Sequence, residues 1–146
     1  MWVENVIIED LDEIYNLEKY TFNKDAFSKE ILRSLIIRNT LFLKITDDQK
    51  RIIGFAIALQ DSIDSVNIIN FLIDERFQGQ GYGSVLLDFT LDKIKRIAHI
   101  KRIILNVNTK NFTAQKLYRK FNFKITEKVE NYYRHKENAY LMELEI

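Results

Sequence analysis

The sequence predicts a mixed α/β domain in which helices alternate with strands. Segments with a strand-like apolar pattern, such as RIIGFAIALQ at 51–60, are interspersed with segments of helical spacing, such as the one carrying Leu11, Ile14 and Leu17. The length of 146 residues suits a single domain over 1–146. The composition, 47% hydrophobic and 29% charged, is typical of a folded globular chain rather than a disordered one.

The N-terminal segment predicts a strand over 3–8 and two helices. Asp10 is a candidate N-cap for the first helix, because it immediately precedes the apolar spacing of LDEIYNLEKY. The second helix is expected to begin at Asp25 or Ser28 and to end near Arg38.

Three strands are expected next. Residues 40–46 and 51–60 read as a pair joined by the polar turn DDQK. In the third strand, at 65–74, the apolar alternation changes phase after Ile68. A one-residue β-bulge explains this change, and a strand buried on both faces explains it equally well.

The remaining elements follow a glycine-rich turn. A helix is predicted from Gly83 to Ala98, then a strand over 102–108 and a helix over 111–121. The chain closes with two strands that can pair as a hairpin, at 123–129 and 139–146.

The turn RFQGQGYGS, residues 76–84, holds three of the four glycines in a chain without proline. The apolar FLID precedes it and an amphipathic helix follows, so its backbone N–H groups are expected at a helix N-terminus, where they attract phosphate oxygens. Glycines admit positive φ and bring the backbone close to an anion. The dinucleotide fingerprint would need glycine at Ser84, and the Gly-Lys-Ser/Thr of a P-loop is absent. A turn used only for tight packing is the alternative.

Composition argues against several classes of function. Lys and Arg number 22 against 21 Asp and Glu, so the sequence offers no argument for a nucleic-acid partner. The absence of cysteine excludes disulfides, thiolate zinc sites and cysteine nucleophiles, and no metal is expected. The longest apolar run, 52–59, is too short to span a bilayer, and the N-terminus lacks a signal-peptide pattern. A cytoplasmic protein without a membrane partner is expected.

Two blocks of sequence resemble a known family. QGQGYGS after an apolar strand resembles the pyrophosphate loop [Gln/Arg]-x-x-Gly-x-[Gly/Ala] of the GCN5-related N-acetyltransferases, the GNAT family. NFTAQKLYRKFNF at 111–123 is similar to the Asn-x-x-Ala-x-x-Leu-Tyr-x-x-x-Gly-Phe segment of that family. The IDERFQGQGYGSVLLD, LNVNTKNFTAQKLYRKFNF, NYY and NAYLMELEI segments resemble the ribosomal-protein-alanine N-acetyltransferase branch, and DAFSKEIL resembles the substrate-side helix of that branch, so the resemblance covers most of the chain.

The resemblance implies the GNAT fold, a mostly antiparallel mixed sheet of about six or seven strands flanked by about four helices. It also implies transfer of an acetyl group from acetyl-CoA to a primary amine, by direct attack on the thioester. A protein N-terminal α-amine is the expected acceptor. The residues that match the family's cofactor positions are Phe71, Leu72, Ile73, Gln78, Gly79, Gln80, Gly81, Tyr82, Gly83, Ser84 and Asn111.

Tyr118 matches the tyrosine that protonates the departing sulfur. A phenol has a pKa near ~10 and is therefore a protonated donor at neutral pH. Its position on the inner face of the helix also fits a core aromatic. Asn111 has a second reading as the N-cap of the same helix. Tyr132 and Tyr133 match the tyrosines beside the family's peptide groove, although such a pair can also pack the hairpin.

The chain departs from the family at Asn106, where the branch has the glutamate proposed as general base. Because an amide cannot accept a proton, Asn106 cannot take over this role. A peptide α-amine, with a pKa of about 7.7, is already neutral in roughly one molecule in six at pH 7, whereas a lysine is neutral in only about one in a few thousand. A weak or water-relayed base therefore favours an α-amine acceptor. A water ordered by Asn106 and Asn108 is one substitute; the other candidate bases, each better explained as solvated surface residues, are Glu18, Glu75, His99 and His135. Asn122, which replaces the family's glycine before Phe123, tolerates a left-handed backbone.

Two other functions remain open at this point. A small-molecule amine acetyltransferase would act on a polyamine, an amino sugar or an antibiotic. A polyamine enzyme would line its pocket with carboxylates, for which Glu13, Glu18 and Asp25 are available. A non-catalytic acyl-CoA-binding domain would explain the missing base. The partners expected are acetyl-CoA and either a protein N-terminus or a small amine, and the chain is expected to be a monomer or a dimer.

Overall fold

The structure, a computed structural model, describes residues 1–38, 40–133 and 136–146. Its strands are β1 (Trp2–Asn5), β2 (Leu41–Thr46), β3 (Ile52–Ser62), β4 (Ser65–Ile73), β5 (Arg102–Asn108), β6 (Lys124–Val129) and β7 (Ala139–Glu145). Its helices are α1 (Leu11–Phe22), α2 (Lys29–Ile37), α3 (Tyr82–Lys95) and α4 (Phe112–Lys120).

The seven strands form one sheet in the order β1-β2-β3-β4-β5-β7-β6. β1 pairs antiparallel with β2, and β2 antiparallel with β3. β4 and β5 pair in parallel, and β7 pairs antiparallel with both β5 and β6. The predicted mixed, mostly antiparallel sheet with about four helices is therefore confirmed.

Local side-chain hydrogen bonds explain where two helices begin. Ser28 Oγ accepts a 3.1 Å bond from the N–H of Ile31, and Asn111 Oδ1 accepts one of 3.1 Å from the N–H of Ala114. Both are N-caps, as predicted. Asp10 precedes α1 but does not cap it with its side chain.

The Asp10 carboxylate has two other partners. Its Oδ2 accepts hydrogen bonds from the N–H of Ile7 at 2.9 Å and from Lys44 Nζ at 2.7 Å. The first bond stabilises a short 3-10 turn at Ile8–Asp10, and the predicted first strand consequently ends at Asn5. The nearly buried Lys44 ammonium has a carboxylate partner, as a buried charge requires.

The residues form two compact units. The first comprises Met1–Ala58 and Asn70–Lys93, and the second comprises Leu59–Ile69 and Ile94–Ile146. A buried cluster in the first unit comes from strands β2 to β4 and from helix α3: Leu43, Ile45, Ile53, Ala56, Ile73 and Leu86. In the second unit, apolar side chains of β5, β7 and the α4 terminus are buried: Ile103, Leu105, Val107, Phe123, Met142 and Leu144.

The end of α4 adopts the left-handed backbone that its sequence allows. Asn122 has φ of 73°, and its N–H donates to the carbonyl of Arg119 at 2.9 Å. The N–H of Phe123 donates to the carbonyl of Tyr118 at 3.0 Å. Asparagine thus ends this helix as a glycine would, in agreement with the prediction.

None of the helices in the described ranges has the length and apolarity needed to cross a membrane.

Candidate functional site

The glycine turn begins where β4 ends in the first unit. The Asp74 carboxylate accepts a 3.0 Å hydrogen bond from the N–H of Arg76 and forms a 2.6 Å ion pair with the guanidinium of the same residue. These interactions hold a 3-10 turn at Glu75–Phe77. The hydrogen bond from Arg76 lowers the pKa of the Asp74 carboxyl, which is therefore a fixed anion at the entrance of the turn.

Gly79 and Gly81 have φ of 78° and 90°, which favour glycine strongly, and a Cβ added at either would meet no atom within 4 Å. These glycines are therefore required by the backbone conformation and not by crowding. Among the described residues, none of the backbone N–H groups from 79 to 83 donates a hydrogen bond to another protein group. The turn presents donors at the N-terminus of α3, and this arrangement fits a diphosphate.

Gln78 ties this turn to the strand before it. Its side-chain Nε2 donates a 2.9 Å hydrogen bond to the carbonyl of Ile73. Gln78 was predicted to contact the cofactor, and in the structure its side chain positions the start of the turn relative to β4. Gln78 also stands at the first position of the pyrophosphate-loop motif that the turn resembles.

From Val66 to Leu72, buried and half-buried residues of β4 alternate without a slip. This pattern agrees with a strand covered on both faces and not with a one-residue slip. The phase change in the sequence arises because Asn70 places a polar side chain at a buried position. Sequence alone does not distinguish a buried asparagine from a change of face.

The Phe71–Ile73 segment, expected to offer main-chain groups to the pantetheine arm, lies very close to β3. A Cβ added at Gly54 would lie 2.6 Å from the Leu72 carbonyl oxygen and 2.6 Å from Ile73 Cδ1. Gly54 therefore permits a close approach of two backbones, which no other residue allows without a shift. The N–H of Asp74 closes the same region by donating to the carbonyl of Ile53 at 2.7 Å.

Glu18, expected to be a solvated surface residue, is only 1% exposed. Its Oε1 accepts a 2.6 Å hydrogen bond from Asn70 Nδ2, and its Oε2 accepts one of 2.8 Å from the N–H of Phe27. Burial raises the pKa of this carboxyl, although the two hydrogen bonds counteract part of the rise. The expectation that Glu18 is a surface residue was therefore wrong. Its two donors, Asn70 and Phe27, lie outside α1, so the sequence around Glu18 does not reveal them.

The positions of the other candidate bases give less support for a catalytic role. Glu75 is exposed and accepts a 2.7 Å hydrogen bond from the Tyr20 hydroxyl. His99 is exposed in the turn after α3, with φ of 69°. His135 lies outside the described residues.

In the second unit, α4 directs Tyr118 inward, where it is 5% exposed and packs against the Phe123 ring with centroids 5.9 Å apart. Burial raises the pKa of the Tyr118 phenol, and the nearby Tyr133 raises it further. The phenol is consequently protonated throughout the physiological range, which a proton donor requires.

The two matched tyrosines of the hairpin segment contact each other. Tyr132 and Tyr133 pack edge to face with centroids 4.9 Å apart, and Tyr132 is 48% exposed while Tyr133 is half-buried. Because Tyr133 affects the pKa of Tyr118, the second unit brings these matched positions together.

The carboxyl end of β5 carries the asparagines. The β4–β5 ladder runs from Ser65–Arg102 to Ile68–Leu105 and ends before Asn106. Asn106 and Asn108 lie on the same, half-buried face of β5. The side-chain amide of Asn108 donates a hydrogen bond to Glu137 Oε2, a partner that the sequence does not indicate.

Comparison with known proteins identifies the family. The model of the acetyltransferase (GNAT) family matches residues 8–123. The chain belongs to the GNAT acetyltransferase family. The predicted family, and the prediction that the protein is an N-acetyltransferase, are therefore confirmed.

Individual relatives of this GNAT acetyltransferase span nearly its whole length. It is 31% identical to the [ribosomal protein bS18]-alanine N-acetyltransferase of Haemophilus ducreyi, over 97% of this chain and 98% of the relative. Its fold matches Ard1 of Thermoplasma volcanium with a TM-score of 0.90, at 26% identity over 99% of this chain and 97% of Ard1. It matches the ribosomal-protein-S18-alanine N-acetyltransferase of Escherichia coli with a TM-score of 0.85, at 26% identity over 99% and 93% of the two chains.

Proposed function

We propose that this acetyltransferase transfers the acetyl group of acetyl-CoA to the N-terminal α-amine of a protein, with an alanine terminus as its preferred acceptor. The observation that carries cofactor binding is the set of backbone N–H groups from 79 to 83, which donate to no described protein group at the start of α3. The acceptor is inferred from the similar enzymes of Haemophilus ducreyi and Escherichia coli, which are named for an alanine of a ribosomal protein.

The residues of this chain would divide the work as follows. Backbone amides of the glycine turn bind the pyrophosphate, and Asn111 adds a cofactor contact beside its role as an N-cap. Main-chain groups of Phe71–Ile73 bind the pantetheine arm, and one of their N–H groups polarises the thioester carbonyl as it gains negative charge. Tyr118 donates its proton to the departing sulfur. Tyr132 and Tyr133 contact the acceptor peptide.

A small polyamine as acceptor receives less support from the carboxylates. Both oxygens of Glu18 accept hydrogen bonds, and Glu13 Oε2 accepts a 2.8 Å bond from the N–H of Ile52. Carboxylates that serve the protein's own N–H groups are less available to bind ammonium groups of a ligand. A protein terminus therefore remains the better-supported acceptor.

The deciding experiment compares acceptors at equal concentration with acetyl-CoA as donor. Acetylation is measured by mass spectrometry for three kinds of acceptor. These are synthetic peptides that begin with alanine, an otherwise identical peptide with a blocked N-terminus and an internal lysine, and spermidine. We expect acetylation of the free α-amine alone. Preferred acetylation of spermidine would overturn the proposed acceptor, and coenzyme A binding without transfer to any amine would support a binding domain instead.

The proposal extends to the setting of the reaction. We place the activity in one acetyltransferase domain spanning 1–146, acting in the cytoplasm on protein N-termini. Comparison of cellular protein N-termini with and without the gene tests this proposal, since loss of N-terminal acetylation should be confined to a small set of cytoplasmic proteins.

A further inference from the structure

The reaction requires a proton acceptor that the matched motifs do not supply. An α-ammonium with a pKa of about 7.7 is mostly protonated at pH 7, so the attacking nitrogen must first lose a proton. Asn106 occupies the position at which the family's branch has a glutamate, and its amide cannot take that proton. A carboxylate elsewhere on the same face of the second unit would restore this function.

Glu137 is a carboxylate in that place. Its Oε2 accepts a hydrogen bond from Asn108 Nδ2, on the β5 face shared with Asn106. The amide of Asn108 is oriented for this contact, because its Oδ1 accepts a 2.9 Å bond from the N–H of Lys110. The hydrogen bond from Asn108 reaches Oε2, so the proton acceptor in this inference is the second carboxylate oxygen, Oε1.

Glu137 is also connected to the matched tyrosines. Its backbone carbonyl accepts a 3.2 Å hydrogen bond from the N–H of Tyr133, and the N–H of Lys136 donates to the carbonyl of Tyr133 at 2.8 Å. Tyr133 is in turn near enough to Tyr118 to raise the pKa of its phenol. One region of the second unit thus holds both a proton donor and a carboxylate.

The other carboxylates of the second unit are less suitable. Asp64 belongs to the β3–β4 turn and accepts from the Ser62 hydroxyl at 2.8 Å. Glu143 pairs with Arg102 at 3.4 Å, at the opposite end of β5 from Asn108. The rest are exposed to solvent: Asp61, Glu127, Glu130 and Glu145.

We infer that Glu137, held by Asn108, is the general base that replaces the missing glutamate at position 106. The inference rests on the proposed function. Glu137 takes one proton from the acceptor's α-ammonium, the neutral nitrogen forms a bond to the acetyl carbonyl carbon, and the carbon–sulfur bond breaks. Tyr118 protonates the sulfur, the second proton of the nitrogen restores the phenol, and Glu137 returns its proton to solvent.

The test is Glu137→Gln, which keeps an acceptor for Asn108 but cannot take a proton. With acetyl-CoA and an alanine-initiated peptide, we expect kcat/KM to fall by about 10²- to 10⁴-fold while the Kd for coenzyme A stays within about twofold. The matched control is Glu130→Gln, an exposed glutamate of the same segment, which should keep wild-type activity. Glu137→Asp should retain more activity than Glu137→Gln, because it keeps a carboxylate.

A second variant distinguishes proton transfer from structural support. Adding Asn106→Glu to the Glu137→Gln protein should restore kcat/KM by at least about tenfold, because it places a carboxylate on the same strand face. Activity of Glu137→Gln within about threefold of wild type would overturn the inference. A loss that Asn106→Glu leaves unrelieved, or equal losses in the Asp and Gln variants, would overturn it as well.

Failure of the proposed function would look different. In that case the wild-type protein itself would acetylate no peptide α-amine. If the wild type acetylates the peptide and Glu137→Gln does so equally well, only the assignment of Glu137 fails.

Discussion

The glycine turn of the first unit and the β5 face of the second unit differ in which atoms carry their chemistry. In the turn, the proposed binding groups are backbone N–H donors, and the positive φ of Gly79 and Gly81 sets their arrangement. On β5, the proposed chemistry depends on side chains: Asn106 stands at the position of the expected carboxylate, and another carboxylate, Glu137, lies beside Asn108. A binding site made of backbone groups needs residues at fixed positions that can adopt its conformation. A catalytic side chain can instead be supplied from a different position in the sequence.

The largest effect should come from the side-chain chemistry of the second unit. Tyr118→Phe removes the proposed proton donor but keeps the ring against Phe123, so we expect kcat to fall about 100-fold or more with little change in the Kd for coenzyme A. Steady-state kinetics and calorimetry measure the two quantities. Tyr15→Phe on α1 is the control, and a Tyr118→Phe enzyme with near wild-type kcat would remove Tyr118 from the mechanism.

The corresponding change in the turn should affect binding instead. Gly81→Ala forces a side chain onto a backbone with φ of 90°, which costs roughly 1–2 kcal/mol, so we expect coenzyme A to bind about fivefold to thirtyfold more weakly. Calorimetric titration gives the Kd. Lys50→Ala, at another left-handed position with φ of 63°, should leave it unchanged. Equal affinity in the Gly81 variant would show that the turn does not contact the cofactor.

A smaller effect, on stability, is expected where β3 and β4 approach most closely. The Cβ in Gly54→Ala would collide with the Leu72 carbonyl, so the free energy of unfolding should fall by about 1–3 kcal/mol. Denaturant unfolding measures this loss. Ile52→Val in the same strand should cost about 0.5–1.5 kcal/mol, which calibrates an ordinary core truncation. If Gly54→Ala were as stable as wild type, the close approach would not be required.

The smallest effect should follow from Glu18→Gln, which replaces one of two accepting oxygens by an amide donor and costs about 1 kcal/mol. The pKa of this carboxyl is raised above its ordinary value of 4.5. The favourable contribution of this pKa shift to the free energy of unfolding is therefore complete below pH 4.5. It is lost as the pH rises through the pKa of Glu18 in the folded state. The stability difference between wild type and variant should be larger in acid than at neutral pH. Thermal unfolding across this range tests the sign, and a difference that grows toward neutral pH would contradict it.

Much of the fold follows from local signals. Ser28 and Asn111 are adjacent to the helices they cap, and the strand patterns at 102–108 and 139–146 are long enough to be unambiguous. Asp10 shows the limit of such signals: it has a capping residue's identity and position, yet the Lys44 ammonium and the N–H of Ile7 bind its carboxylate instead. A distant partner can override a local preference.

The candidate site divides along the same line. Glycine spacing identifies the turn because no other residue adopts its backbone easily. The roles of Glu18 and Glu137 depend on Asn70 and Asn108, which lie 52 and 29 residues away in the chain. No periodicity or spacing within a segment reports such pairs, so burial and carboxylate function at these positions require the folded structure.

The buried Glu18 carboxylate has a consequence for how two ligands would influence each other. It joins the main chain at Phe27, in the segment before α2, to Asn70 on the strand that leads into Phe71–Ile73. A peptide that shifts the Phe27 segment would thereby perturb the strand proposed to hold the thioester, and a bound thioester would perturb that segment. Because thermodynamic coupling is reciprocal, each ligand would change the affinity for the other by the same factor, and severing this bridge would weaken that coupling.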